Sequence, residues 1–191
     1  FPGGIEPHTH IGIPVPEQWA GRSEVITQPP EAASRAAAFG GVTTLLDFSG
    51  ELPLTAEDKV STVPISRQLE SRQAAFKGHS YTDFSFHHIL AREVTDQTLG
   101  QIGEAIQSGQ ASFKIFTTFL AKVPSGHLQA VFEKVAKHGG IMAVHAEDDT
   151  PAELGYVTNS DLAQSASFQV LTELDQAGNG SDESLAGILH I

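Results

Sequence analysis

A chain of 191 residues with 40% apolar and 18% charged side chains is globular rather than disordered, and it is long enough for one domain with a real core. Its formal charge of −12 argues against a nucleic-acid partner, and the absence of cysteine excludes disulfides and thiolate metal sites. No apolar run approaches the roughly 20 residues of a membrane span and no signal peptide is visible, so no membrane partner and a cytoplasmic location are expected.

Residues 1–12 open with a Pro-Gly-Gly turn and continue as Ile5-Glu6-Pro7-His8-Thr9-His10. Pro30–Phe39 is Ala-rich and predicted helical, closed by Gly40-Gly41. Val42–Phe48 is apolar and β-branched, a strand signal. A helix over Ile65–Phe76 and a strand over Phe84–Leu90 follow, then a helix over Thr98–Ile106 from its apolar spacing. Ala111–Phe119 is predicted as the next strand, His127–Ala136 as an amphipathic helix ended by Gly139-Gly140, and Ile141–His145 as a strand. Leu162–Leu174 is predicted helical, and Leu185–Ile191 a strand. About six strands alternate with helices, which implies an α/β fold with a parallel sheet buried on both faces. On this pattern alone a closed barrel and an open doubly wound sheet are equally good. No linker divides the chain.

Histidines gather at predicted strand ends. His8 and His10 are two apart, so on an extended segment both rings share one face. His145 ends one predicted strand and His190 another. Ligands of parallel α/β folds bind at the C-terminal ends of the strands, and four imidazoles converging there look like a metal site. Each alone reads as a hydrogen-bonded strand-end histidine; the constellation carries the signal. His79, His127 and His138 fall in loops or on helices and are expected to be solvated, whereas His87 and His88 are neighbours in a strand and must face opposite ways. Lys114 is out of place within the apolar run Ala-Ser-Phe-Lys-Ile-Phe. A buried ammonium is costly unless paired or neutralised. Either its charge meets a carboxylate, or it loses its proton and reacts with CO₂ to give a carbamate, an anion whose two oxygens could bridge two cations.

The segments PGGIEPHTH, DFSG, SFKIF and VHAED, in this order on these elements, resemble the cyclic amidohydrolases, and among them the hydantoinase and dihydropyrimidinase group. The resemblance runs from Pro2 to Ile191 and is poorest between Thr150 and Asp182. It implies a (β/α)₈ TIM-type barrel, which typically needs about 250 residues, with a small β-sandwich built from both chain ends. Residues 1–191 would then be a partial barrel domain of about six βα units, without the sandwich and the last barrel strands. By match, His8 and His10 would bind the more buried of two divalent metals, zinc or else manganese. Lys114, as the CO₂-derived carbamate, would bridge the pair, and His145 and His190 would bind the second metal. The proton-transferring aspartate of the group is expected beyond Ile191. A homodimer or homotetramer is the assembly the resemblance implies.

Two residues test the match. The group often carries a tyrosine a few residues after the bridging lysine to stabilise the oxyanion; here Phe119 stands there, in the substrate-binding neighbourhood Thr117-Thr118-Phe119, and a phenyl ring donates no hydrogen bond. Gly12 occupies a position where dihydroorotases usually carry arginine and allantoinases asparagine, and so leans against both. Asp47 is expected to support a ligand histidine from behind; Glu147 and Asp148 read as loop or supporting residues. The chemistry implied is opening of a small cyclic amide or ureide, of the hydantoin or dihydropyrimidine type, by a metal-bridging hydroxide. The rival is a non-catalytic dihydropyrimidinase-like protein of the same fold, serving a structural or interaction role. A mononuclear deaminase on the same barrel shares the His-x-His but lacks the bridging lysine.

Overall fold

The computed structural model describes residues 2–146, apart from residues 16–19, 23, 24, 54, 56 and 60. The predicted helix Leu162–Leu174, the predicted strand Leu185–Ile191, His190, Glu147 and Asp148 lie outside the described residues.

Five strands form one sheet: β1 (Gly4–Glu6), β2 (Val42–Ser49), β3 (Asp83–Ile89), β4 (Ser112–Phe116) and β5 (Ile141–His145). Four helices join the later strands: α1 (Pro30–Phe39), α2 (Ile65–Phe76), α3 (Asp96–Gln107) and α4 (Ser125–Lys137). Every pairing is parallel and the spatial order is β1-β2-β3-β4-β5, the order of the chain. A doubly wound sheet reverses its strand order at a switch point. This sheet does not reverse among the described strands, so it is singly wound, as a barrel is.

Local sequence accounts for the element ends. α1 begins with Pro30 in the first turn, where a missing N–H costs nothing. It ends at Gly40, and Gly41 follows in the left-handed region at φ 84°, which a side chain would resist. α3 is capped by Thr95, whose hydroxyl accepts the Thr98 N–H at 3.2 Å. Ala111–Phe119 was too long a strand: β4 ends at Phe116. Thr117 still donates its N–H to the His145 carbonyl, but Phe119 sits at φ 62° and turns the chain away. The run stays apolar past the point where the ladder stops, so composition overstates the strand.

The period of two divides the sheet into two faces. Leu45, Phe86, Phe113, Ile115, Met142 and Val144 face the helices. There they pack with Ile102 of α3, Val131 and Val135 of α4, and Phe76 of α2. Phe76, Ile102, Phe113, Ile115 and Val131 are fully buried, each contributing about 1.5–3 kcal/mol. The opposite face carries Phe48, His87, Lys114, Phe116 and His145, by the cross-strand partners Phe48↔His87 and Phe116↔His145. The apolar clusters thus lie behind the sheet, with Asp47 and His88 buried among them, while His87, Lys114 and His145 lie in front of it. Among the described residues no helix is long and apolar enough to cross a membrane.

Candidate metal centre

The His-x-His limb continues the line of β1. Thr9 donates its N–H to the Leu46 carbonyl at 3.0 Å and its hydroxyl to the same oxygen at 3.1 Å. Pinning Thr9 to β2 turns its two neighbours to one face, and His8 Nε2 and His10 Nε2 stand 3.0 Å apart. Both rings rest on Phe48: His8 edge-on at 4.7 Å between centroids, His10 stacked at 4.9 Å. The next residue, Ile11, donates its N–H to Asp47 Oδ2 at 3.0 Å.

Lys114 enters from β4. It is 1% exposed, and its Nζ has no hydrogen-bond partner. It lies 5.8 Å from the centre of the Phe48 ring and 5.3 Å from that of Phe116. The Phe116 ring in turn stacks with His145 at 5.7 Å, and the Phe119 ring lies 5.0 Å from His145. The amine therefore sits between two aromatic rings, one bearing the His8–His10 pair and the other bearing His145. Among the described residues no carboxylate forms an ion pair with it, as the carboxylate-paired alternative for a buried lysine would require.

Electrostatics follow from this crowding. Burial lowers Lys114 to about 8. Burial, then the neighbouring His10, Lys114, His87 and His145, lowers His8 to about 3. His10 is lowered by burial and by the Lys114 and Arg72 charges. At neutral pH both imidazoles of the limb are uncharged with lone pairs available, the form a metal requires. Two Nε2 atoms facing each other at 3.0 Å, one buried amine without a partner and His8 Nδ1 likewise without one fit a cation-binding role. The set is incomplete, because among the described residues no three His, Asp or Glu side chains form a ready metal cage. Lysine nitrogen is outside that ligand set until it is modified, and His190 is outside the described residues.

His87 and His88 diverge as expected of strand neighbours. His87 Nε2 meets the Pro7 carbonyl at 2.9 Å, and Nδ1 meets Ser112 Oγ. It holds the backbone just before His8, although the two lie 80 residues apart from Pro7 to His87. His88 faces the helices, with Nδ1 3.1 Å from Ser49 Oγ and its ring edge-on to Phe113. Burial lowers it to about 4. Its folded value lies below the unfolded 6.5, so between about 6.5 and 4 the unfolded chain binds the extra proton. His88→Phe should therefore abolish a loss of about 3 kcal/mol as the metal-free protein is acidified through that window. Urea unfolding at pH 7 and pH 4.5 reads this; equal acid sensitivity in both proteins would refute it.

Of the histidines expected to be solvated, His79 is exposed. His127 accepts the Val94 N–H at 3.1 Å, capping the approach to α3. His138 packs on Gly103 of α3, where a Cβ would come within 2.8 Å of the imidazole. These two are structural, and helix composition did not disclose their partners. Asp47 does stand behind the limb, yet it holds backbone and no imidazole: Ile11 N–H on Oδ2 and Phe48 N–H on Oδ1. Arg72 of α2, which the sequence reading passed over, pairs with Asp47 at 3.0 Å. An aspartate in the apolar run Val42–Phe48 hints that a buried carboxylate needs partners, but nothing local points to Arg72 as one of them.

Comparison with known proteins finds similar proteins over most of the chain. It is 31% identical over 151 residues to a D-hydantoinase from Geobacillus stearothermophilus, a match spanning 78% of this chain. It is 28% identical, over the same share, to a D-phenylhydantoinase from Escherichia coli. A solved D-hydantoinase structure superposes with a TM-score of 0.66 at 26% identity, covering 81% of this chain and 31% of that one. The chain spans 29% of the length of these curated relatives. No family model matches it.

Proposed function

From a chain that resembles hydantoinases in sequence and in fold, we propose that it supplies the metal-binding part of a (β/α)₈-barrel cyclic amidohydrolase acting on hydantoins or dihydropyrimidines. The observation that carries this reading is the partnerless Lys114 amine held between Phe48 and Phe116, with His8, His10 and His145 arranged around it. His8 and His10 would hold one divalent cation, Lys114 as its carbamate would bridge to a second, and His145 with His190 would hold that second ion. Such ions, when bound, supply Lewis acidity toward water and toward an amide carbonyl.

The chain's own contribution is preparation. A lysine lowered to about 8 has a substantial neutral fraction at mildly alkaline pH. Its Nζ lone pair would add to the carbon of CO₂, forming an N–C bond as one C–O π bond opens onto oxygen, and the nitrogen would give up a proton to solvent, leaving a carbamate anion. Phe48 and Phe116 shield that group from water, which strengthens its hold on a cation. Thr117 and Phe119 stand beside His145 at the open end, where a flat ring could lie against the Phe119 side chain.

A folded, non-catalytic relative is the second reading, and Phe119 at the expected tyrosine position favours it. Elemental analysis of undialysed protein, with hydrolysis assays on hydantoin and dihydrouracil, separates the two. About two zinc or manganese ions per chain together with ring opening is the expected result. Folded protein without metal and without turnover would replace the hydrolase by its non-catalytic counterpart.

A further inference from the structure

We infer that Arg72, from the helix layer behind the sheet, is a positioning residue for the His10 imidazole. The guanidinium and Asp47 together grip two backbone residues on all sides. Arg72 Nε donates to the Phe48 carbonyl at 3.1 Å, and Nη2 donates to the Ile11 carbonyl and to Asp47 Oδ2, the latter at 3.0 Å. Asp47 in turn accepts the N–H groups of Ile11 and Phe48. Ile11 directly follows His10, and the Phe48 ring is the platform on which His8 and His10 rest. One ion pair thus sets both the backbone that carries His10 and the surface its ring stacks on.

The geometry separates this pair from an ordinary surface bridge. Asp47 is fully buried and the Arg72 side chain is 15% exposed, whereas Arg67 and Glu70, also on α2, pair at 2.7 Å with both side chains largely in water. The Arg72 guanidinium is further fixed over the Phe76 ring at 5.0 Å. A planar fork with several donors suits three acceptors, two on β2 and one on the segment after His10; an ammonium is a single point charge. Groups that orient a metal-binding histidine also govern its metal affinity, typically by about 10–100-fold when lost.

The consequence for zinc rests on the proposed function; the consequence for the ring does not. The test uses metal-free protein with isotope-labelled histidine, comparing the wild type with Arg72→Met. The His10 ring signal is expected to split or broaden, while the His79 and His138 signals stay unchanged. Zinc affinity by chelator competition is expected to fall about 10–100-fold. An unchanged His10 signal, or equal disturbance of all histidines, overturns the inference. A wild type that binds no zinc overturns the proposed function instead, and the ring signal still decides this one. If Arg72→Met does not fold, Asp47→Asn, which keeps the volume and one acceptor oxygen, is read for the same two outcomes.

Discussion

Replacing Lys114 by methionine is expected to stabilise the metal-free protein and to disable the metal-loaded one. The amine is 1% exposed and lowered from 10.5 to about 8 by burial. Its folded value lies below its unfolded value, so the unfolded chain binds the extra proton between about 8 and 10.5. Wild-type stability therefore rises with pH across that window. Below about 8 the full penalty applies, about 3 kcal/mol from the size of the shift. Methionine fills similar volume without the charge, so at pH 7 the variant should be the more stable protein, with its advantage fading above pH 8. Loaded with zinc in bicarbonate, the order should reverse. Loss of a bridging ligand should cost more than the roughly 100-fold that losing an outer partner of a metal ligand can cost. Urea titrations at pH 7 and pH 10 and metal counts on both proteins provide the reading. A methionine variant that is less stable at pH 7, or that keeps two metals and the wild-type rate, would sink this account of Lys114.

A lysine kept at such a cost is informative because nothing else at its position requires it. Its neighbours on β4, Phe113 and Ile115, point to the helices and form the core. On the open face of the same strand Ser112 bonds His87 and Phe116 stacks with His145, whereas the Lys114 amine has no such partner, and an apolar residue there would bury the same area without a charge. Proteins depart from local consistency at functional sites, and a buried amine without a partner between Phe113 and Ile115 is such a departure.

That departure was visible in the sequence, as were most of the elements that frame it. α1 and α2 match their predicted ranges because proline, glycine and helical spacing mark both ends. The His-x-His pair needed only the period of two. Contacts that cross from one element to another left no local mark. The Arg72–Asp47 pair joins a helix to a strand 25 residues away, and His87 reaches a carbonyl 80 residues before it. Composition placed His127 and His138 in loops or on helices as solvated residues and could not say that one accepts the Val94 amide and the other fills the space left by Gly103. The choice between a singly and a doubly wound sheet likewise rested on strand order, which no periodicity encodes.

The second large effect is expected from restoring a hydroxyl at Phe119. Its ring is 43% exposed, held at φ 62° just beyond β4, and lies 5.0 Å from the His145 ring. The backbone conformation is already set, so Phe119→Tyr adds one oxygen at the open end without asking the chain to move. If the proposed hydrolysis lacks a donor for the oxyanion, that hydroxyl supplies one. Removing a single oxyanion donor costs about 10²–10³ in kcat in other acyl-transfer sites. Adding one to a site not built around it should recover part of this, about 10-fold or more, with KM little altered because the bond forms mainly with the transition state. Steady-state kinetics of both proteins on a hydantoin would show it. A tyrosine variant whose gain lies wholly in KM would mean that residue 119 grips the substrate ring and takes no part in stabilising charge. A variant with no gain at all would mean that the missing donor is supplied elsewhere in the site.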